Sequence, residues 1–240
     1  MRILLINPNT SAAMTAMLAA RVGEIVGPGA MIVPVTGRFG ARYVASRAAA
    51  VIAGHAALEA LAEHVGGCDA VYLACFGDPA IAALREISPV PVVGMAEASC
   101  RLACTRGDRF AIVTGGTAWK PMLNELVSEM GLADRLAAIR TIAPTGDEIA
   151  RAPDSALEEL VAACTTCASR DGANSVILGG AGLASLAAQI QAAVPVPVIC
   201  SVEAAAHAAF EACTRASFIK SPTPIETVGL PPALAKVICG

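Results

Sequence analysis

No run of about 18 consecutive apolar residues occurs in the 240-residue chain, although 55% of it is hydrophobic, so no segment has the composition of a membrane-spanning helix. Much of the apolar content is alanine, which suits closely packed helices. Charge is scarce: 15% of residues are charged, the net charge is −3, and the basic residues are scattered. Nothing resembles the basic footprint that tracks a phosphate backbone, which argues against a nucleic-acid partner. Histidine is scarcer still, and His55, His64 and His207 stand in helical stretches without partners at ligand spacing, so no metal is expected. No GxGxxG follows the first apolar strand, which removes the usual dinucleotide site. The opening MRILLINPN lacks a signal-peptide layout, because its apolar stretch is short and ends in Asn-Pro-Asn; a cytoplasmic protein is expected. Cysteine, by contrast, is plentiful. Nine are present, an odd number in a chain too long and too apolar for a disulfide scaffold. In a reducing compartment most would be free thiols that behave as small hydrophobes.

Short, continuously apolar runs alternate with Ala/Leu/Glu-rich stretches. Strands are expected at 2–6, 30–35, 70–74, 90–93, 109–113, 138–142, 175–178 and 196–199, and helices at about 11–25, 45–65, 79–87, 97–105, 118–130, 155–170, 183–192 and 203–213. This alternation predicts an α/β protein whose parallel sheets are covered by helices on both faces. The tail 217–240 carries four prolines and reads as a surface wrap ending in a short helix.

The chain also repeats itself. RILLINPNT (2–10) matches RFAIVTGGT (109–117) at an offset of 107, and AVYLACFGDPAIAAL (70–84) matches SVILGGAGLASLAAQ (175–189) at 105. PVPVVGMAEA (89–98) matches VPVPVICSVEA (194–204) at 106. Any two Ala/Val-rich α/β segments look alike, but three matches in the same order at a nearly constant offset are hard to obtain by chance. The repeat predicts two similar lobes, 1–98 plus about 207–240 and 99–206, each with a parallel sheet flanked by helices and related by a pseudo-twofold axis. Ligands of open parallel sheets sit beyond the carboxyl ends of the strands, so an active site between the lobes is expected.

Several residues at those strand ends can carry chemistry. Cys75 follows the third strand, and Asp78-Pro79 reads as the N-cap and first residue of the next helix. A thiol facing a helix N-terminus would be tuned toward the reactive thiolate; the alternative is a buried thiol that fills space. The loop Asn7-Pro8-Asn9-Thr10-Ser11 and its counterpart Thr114-Gly115-Gly116-Thr117 offer hydroxyls, amides and backbone N–H groups at helix starts. That equipment suits a carboxylate or oxyanion, although Thr10, Ser11 and Thr117 would serve equally as ordinary caps. Glu97 and Glu203 occupy equivalent helix starts, where a favourable dipole interaction or substrate orientation would explain either. Cys164 and Cys167 have CxxC spacing inside a helical stretch with no second pair, and read as packed thiols. In 38–47 (RFGARYVASR), Arg42 and Tyr43 either lean over the site or belong to an ordinary loop.

NPNT after the first strand, ACFGDP after the third, VVGMAEA after the fourth and LGGAG in the second half together resemble the hydantoin/allantoin racemase branch of the aspartate/glutamate racemase superfamily. The resemblance spans about residues 2–205. It implies the two-lobed fold, no cofactor, no metal and a homo-oligomer. It also implies a small carboxylate or cyclic amide substrate gripped by Asn7, Asn9, Thr10, Phe76, Gly77, Thr114, Gly115, Gly116, Thr117, Ala181 and Gly182, with Tyr43 nearby, and Cys75 as one of two catalytic thiols. The pattern then breaks. Where the family's racemases carry a second cysteine, within a pattern like LGCAG, this chain has Gly180. Cys200 ends the next strand, where relatives often carry aspartate, and offers a substitute.

Racemisation next to a carbonyl needs a base on one face of the carbon and an acid on the other, and glycine has no proton to give. The chain is therefore expected to be a racemase or epimerase in which Cys75 serves one face and Cys200 or another group the other. Two alternatives stand beside this reading. One is a single-thiol decarboxylase resembling arylmalonate decarboxylase, which keeps the cysteine of the other lobe; the second is a carboxylate-binding protein without turnover.

Overall fold

The computed structural model describes residues 1–215 and 225–239. It contains the eight expected strands in two parallel sheets of four. In the first sheet are β1 (Arg2–Asn7), β2 (Met31–Thr36), β3 (Ala70–Leu73) and β4 (Val92–Gly94), in the order β2-β1-β3-β4. In the second are β5 (Phe110–Gly115), β6 (Leu136–Ile142), β7 (Ser175–Gly179) and β8 (Val198–Cys200), in the order β6-β5-β7-β8. The strand order of the first half is thus repeated in the second, as the internal sequence matches predicted.

The helices are α1 (Ala12–Val26), α2 (Arg47–His64), α3 (Ile81–Ile87), α4 (Met95–Cys104), α5 (Trp119–Glu129), α6 (Gly146–Arg151), α7 (Leu157–Ser169), α8 (Leu186–Ile190), α9 (Ser201–Ala212) and α10 (Pro232–Cys239). α10 is the short final helix expected in the tail, while residues 217–224 and 240 of the proposed wrap lie outside the described residues. Among the described residues, no helix is long and apolar enough to cross a membrane. The chain forms two compact units: Met1–Val44, Ala48–Gly94 and the chain from Ala206 on make the first, and Ala45–Arg47 with Met95–Ala205 make the second.

The central strands explain why the apolar runs are continuous instead of alternating. β3, β5 and β7 are buried along their whole length, and β1 beyond its first residue, because helices cover both faces of a parallel sheet. The edge strands β2 and β6 are only partly buried. Pro34, which has no N–H for a ladder, is accommodated on the edge strand β2. In the first unit Leu4, Ile6, Val71 and Leu73 from the central strands meet Ala57 and Leu61 of α2 and Leu84 of α3. Each large side chain so buried contributes about 1.5–3 kcal/mol.

Cys164 and Cys167 of α7 are fully buried, in keeping with their reading as packed thiols. Burial pushes them up to about 12 and about 11 respectively, from an ordinary thiol value of 9.0. Both therefore keep their protons in the folded protein at a pH where the unfolded chain has lost them. The stability this contributes is complete below about pH 9 and is lost as the pH rises toward 11–12. The urea midpoint is expected to fall steadily above pH 9, and to fall less steeply in a Cys164→Ala variant; equal slopes would show that other groups govern alkaline unfolding.

Candidate active site

In each sheet the chain runs outward in one direction from its first strand in sequence and then in the other. The two crossovers part between β1 and β3 in the first unit and between β5 and β7 in the second. Such a switch point leaves a crevice at the carboxyl ends of its two strands. Ile6 pairs with Leu73 there, and the Ala74 amide donates to the Ile6 carbonyl at 2.8 Å. The residues that follow are Asn7 on one side and Cys75 on the other, so the topology itself places the thiol beside the NPNT loop.

Cys75 is partly exposed, between the buried Ala74 and Phe76. Its carbonyl accepts from the amides of Gly77 (2.9 Å) and Asp78 (3.1 Å), closing a tight turn. The expected helix start is displaced by this turn. Asp78 and Ala80 both take left-handed backbone angles, with φ of 41° and 58°, and Ala80 caps α3 without a side-chain hydrogen bond. α3 begins only at Ile81, so Asp78 is not its N-cap, Pro79 is not its first residue, and Cys75 gains no thiolate stabilisation from a helix end. The opposite occurs. Burial first, and the Asp78 charge second, push the thiol up to about 12. At neutral pH Cys75 is a protonated thiol, fitted to give a proton and a strong base once it has done so.

Asp78 itself is buried, 3% exposed. Its carboxylate lies against the end of β4, where a Cβ on residue 94 would come within 2.4 Å of Oδ2. Only glycine permits that seat.

The NPNT loop turns its amides inward. Asn7 is 1% exposed, and its Nδ2 donates to Asn9 Oδ1 (2.8 Å), Thr15 Oγ1 (3.0 Å) and the Ser11 carbonyl (3.2 Å). Asn9 Oδ1 also accepts from the Ser11 amide at 2.9 Å, and Thr15 meets Thr36 at 2.7 Å. Ser11 caps α1 by accepting from the Met14 amide. The Asn7 amide is thus spent on shaping the loop, and Thr10, partly exposed with its amide on the Ala41 carbonyl, is the better placed of the two to meet a ligand. Phe76 is buried, whereas Gly77 and Tyr43 are partly exposed.

In the second unit the equivalent rim is built from glycine. Thr114 is buried, and its hydroxyl donates to the Gly179 carbonyl at 2.7 Å. Gly180, with φ of 119°, sends its amide to Ser201 Oγ at 3.1 Å. A Cβ there would meet only Leu183 Cδ1 at 3.6 Å and Thr114 Oγ1 at 3.8 Å, so there is room for a side chain but a backbone conformation that disfavours one.

Gly115 and Gly182 are glycines for a reason the sequence reading missed. A Cβ on Gly115 would lie 2.6 Å from the Pro144 carbonyl, and one on Gly182 would lie 1.9 Å from the Gly146 carbonyl. The segment 144–149, entering α6, covers both. That helix escaped the sequence reading, although Thr145-Gly-Asp-Glu148 is a capping-box signature: Thr145 Oγ1 accepts from the Glu148 amide, and Glu148 accepts from the Thr145 amide at 2.8 Å. Gly116, buried with φ of 87°, gives its amide to the Ile142 carbonyl, while Thr117 is exposed and Ala181 partly so.

Cys200 closes β8 beside Leu178. It is 4% exposed, and its thiol donates to the Ala184 carbonyl at 3.1 Å. A sulfur so enclosed is poorly placed to exchange protons with a ligand. Glu97 and Glu203 do open helices α4 and α9, and Glu97 pairs with Arg101. Among the described residues, no three histidine, cysteine or acidic side chains gather as a metal site.

Comparison with known proteins bears directly on this arrangement. The family model for Asp/Glu/hydantoin racemases matches residues 3–209. A hydantoin racemase of Paenarthrobacter aurescens is 36% identical over 213 residues, covering 87% of this chain and 89% of that protein. The allantoin racemase of Pseudomonas fluorescens superposes with a TM-score of 0.90 at 29% identity, over 95% of this chain and all of that one. Arylmalonate decarboxylase shares the fold at a TM-score of 0.64 and 18% identity, over 89% of this chain and 93% of that one. A thiol at the β1/β3 switch point, a repeated four-stranded sheet and a match over nearly the whole chain lead to one conclusion: this protein belongs to the Asp/Glu/hydantoin racemase family.

Proposed function

We propose that the protein is a cofactor-independent racemase or epimerase that moves a proton at a carbon alpha to a carboxylate or amide, with Cys75 as the proton carrier. The substrate class follows the named relatives: hydantoins, allantoin or an amino acid derivative. The observation that carries this reading is the position of Cys75, a partly exposed residue at the switch point of a family member. In the proton-donating direction, the Cys75 S–H gives its proton to the carbanion and the S–H electron pair stays on sulfur as thiolate. In the reverse direction the thiolate takes the α-proton, and the electron pair of the C–H bond passes into the adjacent carbonyl.

The other face of the carbon needs its own proton source. The topological counterpart of Cys75 is Gly180, and Cys200 is enclosed; neither is assigned that role. Solvent water is the proton source we assign to the second face. The same glycine favours a second reading, in which carbanion formation comes from loss of CO₂ and Cys75 protonates one face only.

A panel of enantiopure 5-substituted hydantoins, allantoin and α-aryl malonates in D₂O separates the two. Loss of optical rotation with one deuterium gained at the α-carbon is the expected result. CO₂ release with a single product enantiomer would replace it with the decarboxylase reading, and no exchange on any member would remove both.

A further inference from the structure

We infer that Glu59, a buried glutamate in the middle of α2, is a positioning residue for the substrate site: acting through Arg38 and His55, it clamps the segment 37–41 onto the NPNT loop and so fixes Thr10 for contact with a ligand. This rests on the reading of the NPNT loop as part of the substrate site.

The segment 37–41 follows β2 and is held on two sides. Both of its ends are tied to the NPNT loop. The Gly37 amide donates to the carbonyls of Asn7 (2.8 Å) and Asn9 (3.1 Å), and the Ala41 carbonyl accepts from the Thr10 amide at 3.1 Å. The approach at Gly37 is so close that a Cβ there would lie 2.7 Å from the Pro8 carbonyl oxygen. The three residues between these ties lie along α2. Arg38 reaches Glu59 Oε2 at 3.3 Å and Glu63 Oε1 at 2.9 Å. The Phe39 ring meets the His55 ring edge-on, with centroids 5.2 Å apart, and a Cβ on Gly40 would stand 3.2 Å from Ile52 Cγ2. Positions 52, 55, 59 and 63 are three or four apart and so form one stripe of the helix. The segment runs along this stripe in the opposite sense to the helix.

Within the stripe, Glu59 is the attachment that is costly to break. α2 buries alanines, a glycine and a leucine, and Glu59 is the one charged side chain among them. Its side chain is 8% exposed. A carboxylate taken out of water needs partners, and two are supplied: Arg38, and His55, whose Nε2 lies 3.3 Å from Oε1. The pair of Arg38 with the more exposed Glu63 adds little by itself. Burial of Glu59 thus gives the segment a fixed seat, because any outward movement that withdraws Arg38 leaves a buried charge short of a partner. Glu59 acts on Thr10 at two removes, through Arg38 and then through the Ala41 carbonyl.

The test is amide hydrogen exchange of the whole protein, read by NMR at Thr10 and Gly37, in wild type, Arg38→Met, Glu59→Gln and the double variant. Each single variant is expected to speed exchange at both amides by about tenfold or more, because a hydrogen bond to a charged group is lost, with the amides of Leu4 and Leu5 unchanged. The double variant is expected to exchange no faster than the faster single one, since both residues belong to one clamp. A folded Arg38→Met in which Thr10 and Gly37 exchange at the wild-type rate would overturn the inference, as would acceleration spread evenly through the first unit. Arg38 is 61% exposed, so its replacement spares the core and decides the question alone should Glu59→Gln fail to fold. With an enantiopure 5-substituted hydantoin as the probe, Arg38→Met is expected to raise KM by about tenfold and leave kcat within about twofold of wild type, the pattern of lost uniform binding. A raised KM without faster exchange would mean that Arg38 meets the ligand itself, and an unchanged KM in an active protein with faster exchange would separate the clamp from the site; either result contradicts the inference. Faster exchange in a protein inactive on the hydantoin supports the clamp and leaves the proposed function to fail alone.

Discussion

Cys75→Ala is expected to lower kcat/KM for racemisation by roughly 10³-fold, with the fold and the melting temperature nearly unchanged. General acid–base groups typically contribute about 10²–10⁴-fold, and 10³-fold corresponds to about 4 kcal/mol of transition-state stabilisation. Cys75 is assigned both removal and return of the proton on its face, so its loss is placed in the middle of that range and not at its foot. The residue as a whole is partly exposed, and replacing it with alanine removes a single sulfur atom, so the structural cost is small. Cys200→Ala serves as the contrast. Its thiol is buried on the Ala184 carbonyl, so the account predicts a loss of stability with kcat/KM retained. The reverse pattern, an active Cys75→Ala and an inactive Cys200→Ala, would transfer the chemistry to the second unit.

Gly180→Cys is expected to have the largest effect of the opposite sign. If the second face of the carbon is limited by the lack of a positioned donor, a thiol at this position should raise the racemisation rate by about 10²-fold or more. The site has space, because a Cβ would stand 3.6 Å from Leu183 Cδ1 and 3.8 Å from Thr114 Oγ1. The cost is conformational. A φ of 119° is unfavourable for any side chain by about 1–3 kcal/mol, which for a chain of this size lowers the melting temperature by roughly 2–12 °C. Gly180→Ala isolates that cost, since it adds the same Cβ without a proton. A faster cysteine variant beside an unaccelerated alanine variant supports the reading that the second face lacks a positioned donor in the native protein. Equal rates in all three proteins would show that it has no part in proton transfer.

The sequence made the architecture readable because parallel strands buried on both faces leave an unmistakable trace. RILLI, AVYL and SVIL are apolar throughout, and the turn residues after them mark the strand ends. The internal repeat then predicted the shared strand order, and the topology brought Cys75 to the switch point. What stayed hidden depends on partners distant in the chain. Asp78 reads locally as a cap before Pro79, yet its carboxylate is drawn under β4 by the gap at Gly94, and the turn takes left-handed angles in consequence. Asn7 reads as a ligand donor, yet Thr15 and Thr36 line up to hold its loop closed. Gly115 and Gly182 read as a cradle for an anion, but the segment 144–149 occupies that space. In this last case the signal was present: a threonine three residues before a glutamate at 145–148 announces a helix start.

The ionisation of Cys75 also shows why local motifs mislead. A thiol after a strand and before a helix looks poised for the thiolate. Two residues with positive φ push the helix start to Ile81, and burial together with the Asp78 carboxylate holds the proton on the sulfur. The reactive form at rest is inverted by a displacement of a few residues.

The most direct test of the central claim follows the α-proton itself. An enantiopure substrate from the named classes is incubated in D₂O with wild type or Cys75→Ala, and deuterium at the α-carbon is counted by mass spectrometry. The account predicts incorporation by the wild type and incorporation slower by roughly 10³-fold in the variant. Incorporation by Cys75→Ala at the wild-type rate would contradict it.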